Sequence, residues 1–172
     1  MAAPARPLLR VLGIDPGTAT TGFGVLEGQA GAGGELRLLD YGAIRTSPGQ
    51  PMPERLADLH ASLGELIALH RPQAMAVEEL FFSSNVTTAL SVGQARGVIL
   101  LAGAQAGIAI AEYKPMQVKL AITGYGGADK RQVQEMLRLT LQLAETPRPD
   151  DAADAIAIAL CHLQTARMVH GA

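Results

Sequence analysis

Six carboxylates stand where apolar patterns begin or end. Asp15 closes the run Val11-Leu12-Gly13-Ile14, and Glu78-Glu79 close Met75-Ala76-Val77. Asp150, Asp151 and Asp154 open the apolar stretch near the C-terminus. An acid at the end of a buried segment is costly to desolvate unless a partner or a cation shares its charge. Each acid also has an ordinary structural use. Asp-Pro-Gly is common turn chemistry, a strand-end glutamate can face solvent, and acids in a helix's first turn cap free amides and offset the macrodipole. Three such groups brought together behave differently, because carboxylates held close repel and the cluster needs a cation. Oxygen donors without His or Cys at ligand spacing point to Mg²⁺ or Mn²⁺ rather than zinc. Such a centre suits phosphoryl transfer, where paired metals activate the attacking water and stabilise the leaving oxygen.

The elements that must position these acids follow from the pattern. Residues 9–15, 20–27 and 35–46 read as three successive strands, with a Gly-rich hairpin loop at 28–34. Leu56, Leu59, Leu63, Leu66 and Ile67 recur at helical spacing over 54–70, and Arg71-Pro72 stops that helix. Residues 73–80 read as strand four and 108–112 as strand five; helices are expected at 85–106, 115–122, 130–144 and 150–169. Consecutive strands favour a hairpin meander, and strands separated by helices favour parallel crossovers. The expected fold is α/β: a five-stranded mixed sheet flanked by helices on both faces, forming a single domain over 9–170 after a flexible leader at 1–8.

In a parallel arrangement, strands one and four present Asp15 and a glutamate at neighbouring C-terminal ends, where α/β sheets place their sites. Alternation lets only one of Glu78 and Glu79 point with Asp15. On the last helix, Asp151 and Asp154 share a face, and so do Asp150 and Asp154. Periodicity does not choose between these pairs.

The chain has 172 residues, 48% of them apolar and 3% aromatic, so Ala, Leu, Val and Ile must build the core. A net charge of −2 does not announce a nucleic-acid binder, so any such site is a local patch. All the lysines, Lys114, Lys119 and Lys130, fall in one short segment that also holds Arg131. Arg96, Arg131, Arg138 and Arg148 extend the candidate positive surface. The lone Cys161 excludes an internal disulfide and reads as a buried thiol. The N-terminus lacks a signal-peptide pattern, and the apolar stretches, interrupted by Gly, Gln or Arg, are read as too short to span a bilayer. A soluble cytoplasmic protein is expected. On the long helix, Ala89, Gly93, Gly97 and Leu101 recur every fourth residue, a row that admits either the sheet or a second protomer.

Four segments together resemble the RuvC family of Holliday-junction resolvases: Gly13-Ile14-Asp15-Pro16-Gly17, Val77-Glu78-Glu79-Leu80-Phe81, Gly93-Gln94-Ala95-Arg96-Gly97 and Asp151-Ala152-Ala153-Asp154-Ala155. They occur in the family's order, and the resemblance extends from about residue 9 to 167. It implies a ribonuclease H-like fold and a homodimer that cuts two opposed strands of four-way junction DNA in recombination and repair. It also implies Mg²⁺ (or Mn²⁺), with two ions per active site, and the RuvA-RuvB branch-migration complex as a partner. Carried over by position, the catalytic and metal-binding acids are Asp15, Glu78, Asp151 and Asp154; Glu79 and the additional Asp150 fall outside the matched positions. Lys119 and Lys130 match positions that contact DNA phosphates, and Phe81 matches a ring that stacks on an unpaired base. Tyr125 is a weaker stacking candidate, and Arg96 and Arg131 are further DNA contacts. Two rival readings are an ATP-dependent phosphotransferase using Asp15-Pro16-Gly17 as a phosphate loop and a non-catalytic junction-binding module.

Overall fold

The computed structural model describes residues 8–30, 34–79 and 85–166. Its strands are β1 (Leu8–Asp15), β2 (Thr20–Gln29), β3 (Leu36–Arg45), β4 (Ala74–Glu78) and β5 (Ala109–Tyr113). Its helices are α1 (Met52–His70), α2 (Val86–Gln105), α3 (Pro115–Thr123), α4 (Lys130–Thr140) and α5 (Asp150–Thr165). The sheet order is β3-β2-β1-β4-β5. The first three strands form an antiparallel meander, while β4 and β5 join parallel to β1. This is the mixed sheet expected from the order of elements.

Side-chain alternation along β1 and β4 divides the interior into two cores. Val11, Ala74 and Ala76 face one side, with Ala153, Ile156, Leu160 and Leu163 of α5 and with Val118 and Leu137 of α3 and α4. Leu12, Ile14, Met75 and Val77 face the other, against Leu59 and Leu63 of α1 and Ala95 and Ile99 of α2. Helix α5 is the central helix, buried along nearly its whole length. It seats closely because β1 and β2 present glycines to it. A Cβ on Gly13 would lie 2.1 Å from the Ala155 carbonyl oxygen, one on Gly22 would lie 2.0 Å from that of Asp151, and one on Gly24 would lie 2.6 Å from Ile156. These alternate glycines fix how near the start of α5 comes to the end of β1.

Most boundaries move by a residue or two, and three bear on the fold. Strand β1 begins at Leu8, which pairs with Gln29. Helix α4 stops at Thr140 instead of running to 144: Gln142 takes a left-handed φ of 54°. There the Leu143 and Gln142 amides donate to the carbonyls of Arg138 and Leu139 at 2.9 and 3.2 Å, a helix-ending pattern usually built on glycine. Among the described residues, α5 ends at Thr165. One expectation is corrected. Helix α2, at 20 residues and mean hydropathy 1.2, has the length and composition to cross a membrane. In this fold it packs one face on α1, β4 and β5, and its Arg96 forms an ion pair with Glu112 at 2.6 Å.

Candidate active site

The acids converge through alternation and register. Ile14 pairs with Val77 across the parallel β1–β4 ladder, so Asp15 and Glu78 are the next residues on neighbouring strands. Both fall on the α5 side, because Ile14 and Val77 point to the opposite core. That alternation selects Glu78 over Glu79, whose amide instead donates to the Tyr113 carbonyl at 2.8 Å. Gly22 pairs with Asp15, and the backbone of Asp151 rests on Gly22. The first turn of α5 therefore lies directly over the end of β1.

The electrostatics register this crowding. Burial, then Glu78, Asp154 and Asp151 in that order, push the Asp15 carboxyl up to about 8. Glu78 is raised by burial and then by Asp154, against a hydrogen bond with Asp15 and the charges of Lys119 and Lys130. Asp154 is raised by burial, with Lys130 pulling the other way. The Lys130 ammonium lies 3.2 Å from Asp154 and 3.5 Å from Asp150. Its own proton is held more tightly than usual: burial opposes the charge, but Asp154 and Asp150 outweigh it.

Asp150 shares Lys130 with Asp154 but has further partners of its own. It pairs with Arg148 at 2.8 Å and with Lys130, and it accepts from Gln134 Nε2 at 3.3 Å. Lys130 above all holds its carboxyl below the usual range. Asp150 thus turns toward α4, while Asp151 and Asp154 act on Asp15.

Lys119 and Lys130 meet Glu78 and Asp154 in a cavity of about 220 Å³, whose floor includes Val118, Val133 and Ile158. Arg131 lies outside it, lining a neighbouring groove with Tyr125 and Glu135. Arg96 is not brought to the carboxylates; it serves Glu112 on the α2 side of the sheet. Phe81 lies outside the described residues. The strand glycines that let α5 approach were not recognised as site-forming from sequence, although their alternation, Gly22 and Gly24 with Leu26, was the available signal.

The donor set fits a hard divalent cation: the ligating candidates are all carboxylate oxygens, and the Lys130 ammonium already serves as counter-cation to Asp154. Among the described residues, no three such groups close on one point as they stand. The site is an open arc of acids spread over β1, β4 and α5.

The same residues fall within relationships visible across most of the chain. Residues 11–162 match the family model described as crossover junction endodeoxyribonuclease RuvC. A relative of that name from Chloroflexus aggregans is 64% identical over 158 residues, covering 92% of this chain and 94% of the relative. Another from Rubrobacter xylanophilus is 60% identical, covering 92% and 87%. The structure of Thermus thermophilus RuvC in complex with Holliday junction substrate superposes with a TM-score of 0.82 at 42% identity, covering 94% of this chain and 96% of that one. The yeast mitochondrial Holliday junction resolvase Ydc2, at 16% identity and a TM-score of 0.66, shares the fold. The chain belongs to the RuvC family of crossover junction endodeoxyribonucleases, which are divalent-metal-dependent nucleases.

Proposed function

We propose that this protein resolves Holliday junctions by metal-dependent hydrolysis of DNA phosphodiesters. The convergence of Asp15, Glu78 and Asp154 from three distant segments beside Lys119 and Lys130 carries the reading. Asp15, Glu78, Asp151 and Asp154 hold Mg²⁺ or Mn²⁺, two ions per site. When bound, the ions supply Lewis acidity and a water of lowered pKa at neutral pH. Burial is the main influence on Asp15 and Glu78, so a charge there is strongly felt at the reacting centre. Lys119 and Lys130 bind the phosphate backbone and orient it over the carboxylates, Arg131 extends that positive surface, and Phe81 stacks on an unpaired base. Arg96 is left out because Glu112 already uses its charge.

Junction symmetry favours two protomers, each cutting one strand. The exposed apolar row of α2 suits the pairing surface: Val86, Leu90 and Leu101 are 78%, 65% and 50% exposed. Gly93 and Gly97 face open space rather than the sheet, which Ala95 and Ile99 occupy. Family membership also supports the RuvA-RuvB branch-migration complex as the partner that presents junctions. A recombination substrate would place the protein in the cytoplasm with the chromosome. The match to a nuclease family over residues 11–162 supports neither rival reading.

The test is Asp15→Asn on a synthetic four-way junction with Mg²⁺ or Mn²⁺. Cleavage falls by about a thousandfold if the carboxylate holds metal, while junction binding persists. Undiminished cleavage overturns the assignment.

A further inference from the structure

Among the described residues two polar residues are buried as a whole, Thr21 at 1% exposure and Thr46 at 8%. Both use their hydroxyls on the turn that follows Asp15. Thr21 Oγ1 donates to the Gly17 carbonyl at 2.6 Å, and Thr46 Oγ1 donates to the Thr18 carbonyl at 2.6 Å. The Thr46 amide donates to the Ala19 carbonyl at 3.1 Å. Three consecutive carbonyls of the turn are thereby fixed from outside it. The turn's own Thr18 hydroxyl is buried without a partner among the described residues.

A second layer backs the first. Arg55 of α1 donates from Nε to Thr46 Oγ1 at 2.9 Å. The Thr46 hydroxyl therefore accepts from a cation while donating to the turn, and a charged donor strengthens the bond passed on. The arrangement approaches from the α1 side of the sheet: Ile44, two residues before Thr46, packs in the core with Leu59 and Leu63. The acids lie on the α5 side. Asp15 sits between the two, with like charges pushing on its carboxylate and a fixed turn behind its backbone.

We propose that Thr21, Thr46 and Arg55 form a strap that locks the 16–19 turn and holds Asp15 in its metal-binding pose, making them positioning residues for catalysis. The inference rests on the reading of Asp15 as a metal ligand. Outer residues that fix a ligand typically govern metal affinity or activity by about 10- to 100-fold. A merely structural role predicts loss of stability without selective loss of metal binding.

Thr21→Val and Thr46→Val keep shape and remove the hydroxyl; Thr21→Ser and Thr46→Ser keep the hydroxyl. Arg55→Gln weakens the backing and leaves the first layer in place, so it serves if a valine variant fails to fold. Three quantities are read on the full chain: Mn²⁺ affinity of the DNA-free protein by electron paramagnetic resonance, and kcat and KM on a synthetic junction. The expected result is a Mn²⁺ affinity and a kcat each lower by about tenfold in the valine variants, KM within about twofold, and recovery in the serine variants. Arg55→Gln shows a smaller loss in the same direction. Folded valine variants, or Arg55→Gln if those do not fold, with parental Mn²⁺ affinity and kcat overturn the proposal. So does loss that serine fails to restore. Asp15→Asn is measured alongside. If it binds Mn²⁺ and cleaves like the parent, the reading of the site itself fails; if it is inactive while the strap variants are parental, only the strap fails.

Discussion

Asp15 carries a cost that the proposed metal-binding role explains. Its carboxyl titrates near 8 in the folded chain against 3.8 for an ordinary aspartate, chiefly from burial and then from Glu78. A raised folded pKa means that the folded state holds the proton more tightly than the unfolded state. The associated stability is present below the unfolded value and is lost as pH rises through the folded one. Glu78 and Asp154 shift in the same direction and add to the trend. Asp150 shifts the other way, and its contribution disappears only as the pH falls toward acid. The metal-free protein is therefore expected to lose thermal stability between about pH 4 and pH 8. Asp15→Asn removes most of that slope and melts higher than the parent at the alkaline end. Saturating Mg²⁺ restores the parent and leaves the variant little changed. Melting curves across pH, with and without metal, read all three effects; a parent whose melting temperature does not fall with pH contradicts the coupling.

At the scale of elements, much was legible because two periodicities govern placement. The alternation of Ile14-Asp15 and of Val77-Glu78 placed the acids at strand ends, but sequence left Glu78 and Glu79 open. The parallel register, visible only once strands pair, sets Glu78 beside Asp15. Likewise, helix spacing allowed Asp150 as readily as Asp151 to join the site; in the fold Asp151 acts on Asp15, while Asp150 is engaged by Lys130, Gln134 and Arg148. The end of α4 was misread because Gln142 does what glycine usually does, and its type gave no sign of it. The strand glycines were in plain view, and their meaning depends on a helix that arrives more than a hundred residues later. Their role is open to test. Gly22→Ala places a methyl against the Asp151 backbone, where a Cβ would sit 2.0 Å from the carbonyl oxygen. Overpacking of this kind costs about 1–3 kcal/mol, and relief requires the first turn of α5 to lift from Asp15. The expected outcome is a lowered melting temperature together with Mn²⁺ affinity reduced by more than Asp150→Ala reduces it. Retained Mn²⁺ affinity in a folded Gly22→Ala variant contradicts the seating argument.

Over the whole molecule, the two sheet faces divide the labour. The α5 face carries the acids and, through α3 and α4, the lysines. The α1/α2 face braces the Asp15 turn and then presents α2 outward. Helix α2 is apolar enough by composition to cross a membrane, yet among the described residues it is its inner face, with Ala95, Ile99 and Ala102, that is buried against the rest of the fold. Exposed apolar rows of this length in a folded domain mark contact surfaces, and open glycines at Gly93 and Gly97 allow a second helix to come close. The row begins at α2's N-terminus, capped by Asn85, a short distance in sequence from Glu78. A dimer formed there ties the spacing of the two active sites to one helix pair. Leu90→Glu combined with Leu101→Glu places like charges on that surface and removes its apolar contacts. The double variant is expected to elute at half the parent's molar mass by light scattering while keeping its fold and its Mn²⁺ affinity. On a junction it makes single nicks in place of paired ones, because each protomer retains a complete set of Asp15, Glu78, Asp151 and Asp154. A double variant that keeps the parent's mass, or one that still cuts both strands together, removes α2 as the pairing surface.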